Sequence, residues 1–372
     1  MSETLSLDGL QLRLRRFPDT QQSDLIAWDA ADELLLTQAL EELMQQEQSQ
    51  LLILNDSFGA LACGTAKLSP IWVNDSFVAH QGTRLNLDLN ALPSPKQMLK
   101  DIDELTQPVD CVWMKLPRNL RYLEYQLDYL NSHLPEGTPV VIAARLKEMP
   151  TTLKGITEAY LDEITPSRIR KKARLLVGKT TSRRSQKPLT LSWKADGCPW
   201  ELKNYPNVFS GQRLDIAAHL MLSHIPQGHN NIIDLGCGNG VLSLAAAKAN
   251  PEATIHAVDE SWHAIKSCGD NLSASVAKSQ FQLHWDDCLT EFEPESVDLI
   301  LCNPPFHQQS SVTDHIAWQM FRDAKRTLES GGRLRVIGNR HLGYHIKLNR
   351  LFGKVETVAA NAKFVILDAI KR

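Results

Sequence analysis

The chain carries no cysteine framework. Its seven cysteines are spread through 372 residues with no Cys-x-x-Cys pair and no Cys/His spacing of the kind zinc sites use. An odd count of scattered thiols fits a reducing compartment, and neither a disulfide scaffold nor a metal site is expected. Long hydrophobic runs are missing too: no segment approaches membrane-spanning length. The opening MSETLSLDGLQLRLRRF has no apolar stretch suited to a secretory signal, so a cytoplasmic protein without a membrane partner is expected. No large excess of either charge sign is present. With a net charge of −3, a nucleic-acid partner would have to be met by a local cluster of basic residues. What remains, 43% hydrophobic and 22% charged, is globular, and 372 residues suffice for two domains with separate cores.

The second half reads as strands alternating with helices. Ile232–Ile233 leads into the Gly-rich DLGCGNG, then VLSLAAAKA has helix-forming composition and stops at Asn250–Pro251. Thr254–Val258 is a strand ending in Asp259, and Phe281–Trp285 is another. VDLI ends at Asn303, a helix follows around Ile316–Leu328 with Gly331–Gly332 as its stop, and Arg333–Ile337 is a further strand. KVETVAANAKFVIL closes the chain as two strands about a tight turn. Such alternation argues for an α/β fold with a parallel sheet covered on both faces.

The first half repeats this plan without its chemistry. Leu52–Leu61 (LILNDSFGAL) matches Ile233–Leu242 (IDLGCGNGVL), with Asn55 and Ser57 in the places of Gly236 and Gly238; only Gly59 keeps its counterpart, Gly240. Asp75 is read as the counterpart of Asp259, Lys115 of Asn303 and Arg118 of Phe306. GTPVVIAAR (Gly137–Arg145) then mirrors GGRLRVIGNR, and four matches in the same order predict a duplication. Between the halves, Ile164–Lys187 contains nine Lys or Arg residues and no acid. Arg168, Arg170, Lys171, Lys172 and Arg174 are predicted on two helical turns, with Arg183, Arg184 and Lys187 in a linker. With Lys115 and Arg118 they are either RNA-phosphate contacts or a solvated connector.

Gly236, Gly238 and Gly240 follow a strand and open a helix, where the backbone turns sharply and a ligand must approach without a Cβ in its way. Asp259, ending the next strand, is placed to accept from both ribose hydroxyls of an adenosine cofactor. A dinucleotide turn uses GxGxxG and a helix N-terminus for pyrophosphate. Here Asp234 stands at the mouth, repelling phosphate but suiting the ammonium of S-adenosylmethionine, so a methyltransferase is favoured over a dehydrogenase. In the DDC of Asp286–Cys288, Asp287 can accept from an adenine amino group with Cys288 beside it; both aspartates equally suit an ordinary turn. CNPPF then delivers Asn303, Pro304, Pro305 and Phe306 to a strand end. The Asn303 side-chain oxygen and the Pro304 carbonyl can accept both hydrogens of an aromatic amine, and the prolines pin those acceptors. Phe306 offers a stacking face worth about 1–3 kcal/mol per base.

NPPF after DLGCGNG resembles the ribosomal RNA guanine-N2 methyltransferases, whose members carry two tandem methyltransferase-like domains with a degenerate first copy. RFPDT, AWDAADE, LILNDSFGAL, NVFS, IDLGCGNGV, CNPPFHQQ, TDHIAWQMF and GNRHLGYHIKL resemble segments of its large-subunit branch, across nearly the whole chain. The resemblance implies two doubly wound class I (Rossmann-like) domains: residues 1–185 degenerate and RNA-recognising, residues 186–372 catalytic. It implies methyl transfer from S-adenosylmethionine, without metal, to the 2-amino group of a guanine in 23S ribosomal RNA, the one numbered 1835. The RNA is either naked or part of an assembly intermediate, and a monomer is expected. By resemblance the cofactor positions fall on Asp234, Gly236, Gly238, Gly240, Asp259, Asp287 and Cys288. The target-base positions fall on Asn303, Pro304, Pro305 and Phe306, and Phe209 and Ser210 lie in the segment covering the cofactor. The alternatives are a small-subunit enzyme of the same family, a protein-glutamine or adenine-N6 methyltransferase using the same Asn-Pro-Pro-aromatic motif, or an RNA-binding assembly factor without catalysis.

Overall fold

A computed structural model describes residues 3–18, 25–39, 49–194, 197–305 and 311–372. The chain divides into two compact units, Met1–Leu189 and Thr190–Arg372. The stretch beyond Lys179 is not a free linker, because its side chains bind back onto the first unit. Arg183 donates to the carbonyls of Ala159 and Leu161 and pairs with Asp162 at 2.7 Å, while Arg184 pairs with Asp128 at 2.9 Å. Arg121 donates to the carbonyl of Leu189.

The first unit opens on a hairpin, β1 (Thr4–Leu7) and β2 (Leu10–Arg13), and a short helix α1 (Ala30–Leu34) capped by Asp29. Its sheet contains β3 (Leu51–Leu54), β4 (Ile71–Val73), β5 (Gln97–Leu99), β6 (Cys111–Lys115), β7 (Pro139–Arg145), β8 (Asp162–Pro166) and β9 (Ala173–Lys179), in the order β5-β4-β3-β6-β7-β9-β8. Helices α2 (Ala60–Gly64), α3 (Phe77–Leu89), α4 (Leu120–His133) and α5 (Leu153–Tyr160) connect them. The first five strands run parallel, and β9 is antiparallel to both of its neighbours. Apolar runs explain why both faces are covered: Leu51–Leu54 and Val112–Met114 are buried without alternation.

The second unit repeats the plan. A hairpin of β10 (Leu191–Lys194) and β11 (Glu201–Asn204) precedes a short helix α6 (Ile216–Leu222) capped by Asp215. The sheet follows: β12 (Asn231–Leu235), β13 (Thr254–Asp259), β14 (Phe281–Trp285), β15 (Val297–Cys302), β16 (Leu328–Asn339), β17 (Val355–Ala360) and β18 (Phe364–Ile370), ordered β14-β13-β12-β15-β16-β18-β17. Helices α7 (Val241–Ala249), α8 (Trp262–Ser273), α9 (Ser311–Thr327) and α10 (Tyr344–Phe352) complete it. Each half is thus a doubly wound class I sheet of seven strands.

The duplication reaches single hydrogen bonds. Asn271 receives the Lys203 amide at 2.8 Å and donates to the carbonyls of Lys203 and Asn239 at 2.9 and 2.8 Å. Asn86 does the same in the first unit, with the amide and carbonyl of Arg15, both at 2.8 Å, and the carbonyl of Phe58 at 2.7 Å. Each asparagine ties the second strand of its hairpin, or the residues just beyond it, to the turn that follows the first strand of its sheet.

Three expectations are corrected. Residues Arg168–Arg174 form no helix: they round the end of the β8–β9 hairpin, with Lys171 and Lys172 at φ 48° and 61°. Gly331–Gly332 lies inside β16 rather than stopping a helix that runs on to Leu328; Gly331 donates to the Lys371 carbonyl and Gly332 accepts from its amide. Lys115 is no free cation for phosphate, since its buried ammonium sits 2.9 Å from Asp29 and 2.7 Å from Asp32. Burial disfavours that charge, yet the two aspartates hold its pKa above the ordinary lysine value.

Removing one partner of such a buried group costs about 3–5 kcal/mol, because the carboxylates left behind lose their counter-charge. Lys115→Ala is expected to destabilise the first unit by that amount while leaving the sheet of the second unit intact. Hydrogen exchange at the amides of β6 and β15 separates the two, with faster exchange in β6 alone.

Candidate active site

In a doubly wound sheet the crevice lies beyond the carboxyl ends of the strands, where the strand order reverses. In the second unit that point is between β12 and β15, adjacent parallel strands aligned from Ile232↔Leu299 to Leu235↔Cys302. Asp234, Gly236 and Asn303 therefore come together there although they are distant in sequence.

The turn after β12 is held by left-handed backbone. Gly236, Gly238 and Gly240 have φ of 79°, 53° and 80°, values an L side chain rarely adopts. Gly240 is also a packing necessity: a methyl group there would sit 2.6 Å from Cys268 Sγ on α8. On Gly236 the same methyl would lie 3.6 Å from Met320 Cε and 4.0 Å from the Asn303 carbonyl oxygen, and on Gly238 it would meet nothing within 4 Å. Two glycines thus keep a cradle open, while the third lets α7 approach α8.

Two carboxylates border the turn. Asp234 is buried, takes a 2.6 Å hydrogen bond from Ser243 on its Oδ2, and leaves Oδ1 buried without a partner. Burial pushes its carboxyl up to about 6, against the pull of the Ser243 hydroxyl and amide, and the Asp259 charge adds to the rise. Asp259 accepts the Gly238 amide at 2.9 Å and the Ser261 amide at 3.0 Å, so it braces the turn as well as ending β13.

After β14 the two aspartates divide. Asp286 is buried and committed to its own turn, bonded to the Thr290 hydroxyl and the Glu291 amide. Asp287 instead receives the Gln319 side chain from α9 at 3.0 Å, and burial raises its carboxyl pKa. Cys288 has φ 58°, and burial drives its thiol pKa well up, which keeps the sulfur a neutral packing group. Phe209 is 60% exposed, and Ser210 donates to the Arg213 carbonyl at 2.7 Å.

Beyond β15, Pro304 is buried and Asn303 and Pro305 are half-buried; Phe306 lies outside the described residues. The Asn303 amide donates from Nδ2 to Asp215 Oδ2 at 3.2 Å, and its Oδ1 is buried with no hydrogen-bond partner. Sequence reasoning missed Asp215, Ser243 and Gln319. Asp215 alone carried a local signal, as an acid immediately before an apolar helix.

The first unit shows the same site filled in. Gly59 keeps the left-handed turn (φ 82°) and packs on Thr83 as Gly240 does on Cys268. Asn55 takes the place of Gly236 at φ 65°, and its side chain enters the cradle to donate to the Lys115 carbonyl at 3.0 Å and Gln126 at 2.9 Å. Asp56 binds the amides of Gly59, Leu61 and Ala62. Strand register pairs Leu54 with Val73 as it pairs Leu235 with Val258, so Asn74, not Asp75, stands where Asp259 does. Asn74 accepts the Ser76 amide at 2.9 Å just as Asp259 accepts that of Ser261.

An open glycine cradle, a strand-end acid on either side and an Asn-Pro-Pro strand exit, on a class I sheet in a chain that also carries a filled copy of it, define a methyltransferase. Comparisons narrow the class. Residues 2–183 match the RLMG N-terminal domain and residues 199–368 the methyltransferase small domain. The ribosomal RNA large subunit methyltransferase G of Magnetococcus marinus is 48% identical over 371 residues, 99% of either chain. That of Photobacterium profundum is 46% identical over 376 residues, all of both chains. Among solved structures, the T. thermophilus 16S rRNA N2 G1207 methyltransferase in complex with AdoMet and guanosine shares the fold with a TM-score of 0.74, at 21% identity over 99% of this chain and 97% of that one. The chain belongs to the ribosomal RNA large subunit methyltransferase G family.

The two kinds of glycine should separate in a stability measurement. Gly238→Ala meets only the left-handed backbone penalty, about 1–2 kcal/mol. Gly240→Ala adds an overlap with Cys268, about 1–3 kcal/mol more. Denaturant unfolding of the second unit is expected to rank them in that order.

Proposed function

We propose that this protein transfers the methyl group of S-adenosylmethionine to the exocyclic 2-amino group of a guanine in 23S ribosomal RNA, at the position numbered 1835. The observation that carries the chemistry is the Asn303 Oδ1, a buried acceptor left without a partner at the strand exit, next to the glycine cradle. An unpaired buried acceptor costs free energy in the resting protein, which argues that a donor arrives there during function.

Asp234 fits the ammonium of the cofactor's amino-acid portion, because its second carboxylate oxygen is buried and unpartnered. Gly236 and Gly238 leave room for the backbone to lie against the cofactor, Asp259 accepts from its ribose, and Asp287, with Cys288 beside it, faces its adenine. Bound S-adenosylmethionine supplies an electrophilic methyl on a sulfonium. The chain's part in the reaction is to place the nucleophile. A guanine 2-amino nitrogen has its lone pair delocalised into the ring, so it attacks poorly. Asn303 Oδ1 and the Pro304 carbonyl accept its two hydrogens, which orients the lone pair and stabilises the positive charge that builds on nitrogen. Both acceptors stand on rigid backbone and need little reorganisation. Phe306 provides the stacking face. The exposed hairpin end with Arg168, Arg170 and Lys172 in the first unit suits RNA phosphates. No helix among the described residues is long and apolar enough to cross a membrane; the reading is of a cytoplasmic monomer acting on naked RNA or an assembly intermediate.

Mass mapping of guanines in ribosomal RNA from a deletion strain tests the substrate: one 23S guanine is expected to lose its N2-methyl group and to regain it when the gene is restored. Unchanged 23S guanines, or a methyl lost from 16S RNA or from a protein glutamine, would overturn the assignment. Asn303→Ala is expected to lower single-turnover methyl transfer by about 10²–10³, the usual loss for one preorganised hydrogen-bonding group, while cofactor affinity holds.

Asp234 makes cofactor binding pH-dependent. Burial pushes its carboxyl up to about 6, and only the charged form attracts an ammonium. Affinity is therefore level above about pH 7 and falls as pH drops through 6, approaching about tenfold per pH unit. Calorimetry across that range should show this, with Asp234→Asn weaker and level throughout.

A further inference from the structure

We infer that Asp215 is a positioning residue for methyl transfer: it fixes the orientation of the Asn303 amide so that Oδ1, not Nδ2, meets the target amine. The inference rests on the reading that Asn303 Oδ1 accepts a hydrogen from that amine. An Asn side chain has one accepting end and one donating end of nearly the same shape, so packing alone hardly distinguishes them. Turned the wrong way, Asn303 would present its NH2 to the substrate's NH2, and two donors would face each other. A carboxylate settles the matter because it only accepts. Asp215 Oδ2 lies 3.2 Å from Asn303 Nδ2, and the amide must therefore keep its NH2 on the Asp215 side and its oxygen on the other.

Asp215 is itself held. It is the N-cap of α6, and the same Oδ2 accepts the Ala218 amide at 3.0 Å. The cap role is the simple explanation for an aspartate at this place, but it leaves the bond to Asn303, across 88 residues, unexplained. The first unit supplies independent support. WDAADELLL (Trp28–Leu36) aligns with LDIAAHLML (Leu214–Leu222), which places Asp29 at the position of Asp215. Asp29 caps α1 in the same way and reaches the residue that replaces Asn303: Lys115 Nζ lies 2.9 Å from its Oδ1. Two copies of the fold aim the cap aspartate at the residue leaving the equivalent strand, whether that residue is an amide or an ammonium. The link is part of the architecture, and in the second unit it acts on the acceptor that the chemistry uses.

Asp215→Ser tests this, because serine still caps a helix but is too short to reach Asn303. Asp215→Asn keeps an oxygen able to accept from both Ala218 and Asn303. The probe is an unmethylated 23S ribosomal RNA transcript, assayed in single turnover with saturating S-adenosylmethionine and the full-length protein. Asp215→Ser is expected to slow methyl transfer by about tenfold to a hundredfold, the scale of a hydrogen bond to a charged acceptor, with unfolding midpoint and cofactor affinity unchanged. Asp215→Asn should recover most of the loss. In an Asn303→Ala background, where no amide remains to be oriented, Asp215→Ser should add nothing, whereas a merely structural residue would add its full effect. Parent-like turnover by Asp215→Ser, or additive losses in the double variant, would overturn the role of Asp215 while leaving that of Asn303 standing. Parent-like turnover by Asn303→Ala would instead remove the reading of Asn303 and this inference with it.

Discussion

The site depends on one piece of backbone, the left-handed turn between β12 and α7. Gly240 allows α7 to close on α8 at Cys268, and this close approach sets where Gly236 and Gly238 lie against the end of β15. From it follow the cradle beside the Asn303 carbonyl, the reach of the Gly238 amide to Asp259, and the burial of Asp234 beneath Ser243. The first unit shows the turn to be separable from the chemistry. Gly59 retains the conformation and the packing against Thr83, while Asn55 spends its side chain inside the space that Gly236 leaves open in the second unit and Asp56 binds the amides of the helix that follows. The fold of the first copy therefore does not need the cradle glycines: the packing glycine is kept, Asn55 and Ser57 stand in place of the other two, and the Asn55 side chain finds partners within the unit.

Much of this was legible in the residues. Phe281–Trp285 and Val241–Ala249 have the bounds their composition predicts, and the repeat of the Gly-rich segment was visible without coordinates. The errors share a cause. The charges of Arg168–Arg174 fit within two helical turns, but charge carries no period. The segment from Ala173 to Lys179 is instead a strand, in which Ala173, Leu175 and Gly178 are buried. Gly331–Gly332 looked like punctuation and is the irregular stretch of β16, between the pairing of Leu328 with Val297 and that of Arg333 with Leu299. Asp75 was matched to Asp259 because both are acids. Strand register moves the equivalence to Asn74, whose side chain makes the same bond to the following cap residue.

Lys115 illustrates how a substitution at the strand exit where the second unit has Asn303 changes what surrounds it. An ammonium at the end of a buried strand demands counter-charge, and α1 provides Asp29 and Asp32. Burial lifts the Asp32 carboxyl to about 6 despite the lysine, while the Asp29 pKa stays below its ordinary value under the pull of Lys115, against the opposing effect of burial. The group is therefore a structural ion cluster, unlike the exposed cations, Arg118 and those at the hairpin between β8 and β9.

Comparing the two copies also separates what a strand exit needs for folding from what it needs for chemistry. A cap aspartate facing the strand end is common to both, so it belongs to the fold. An acceptor oxygen left unpaired belongs to the second unit, where Asn303 Oδ1 is buried and waiting; the Lys115 ammonium that replaces it has only hydrogens to give, and both of its aspartates accept them. The pair Asp215–Asn303 is then the arrangement from which a catalytic acceptor can be built, since the carboxylate commits the donor end of the amide and so leaves the oxygen free. Replacing the amide by an ammonium keeps the bond to the aspartate and abolishes the acceptor. That single exchange, together with the cradle position filled by Asn55, leaves the first sheet with the fold of the second and without its unpaired acceptor.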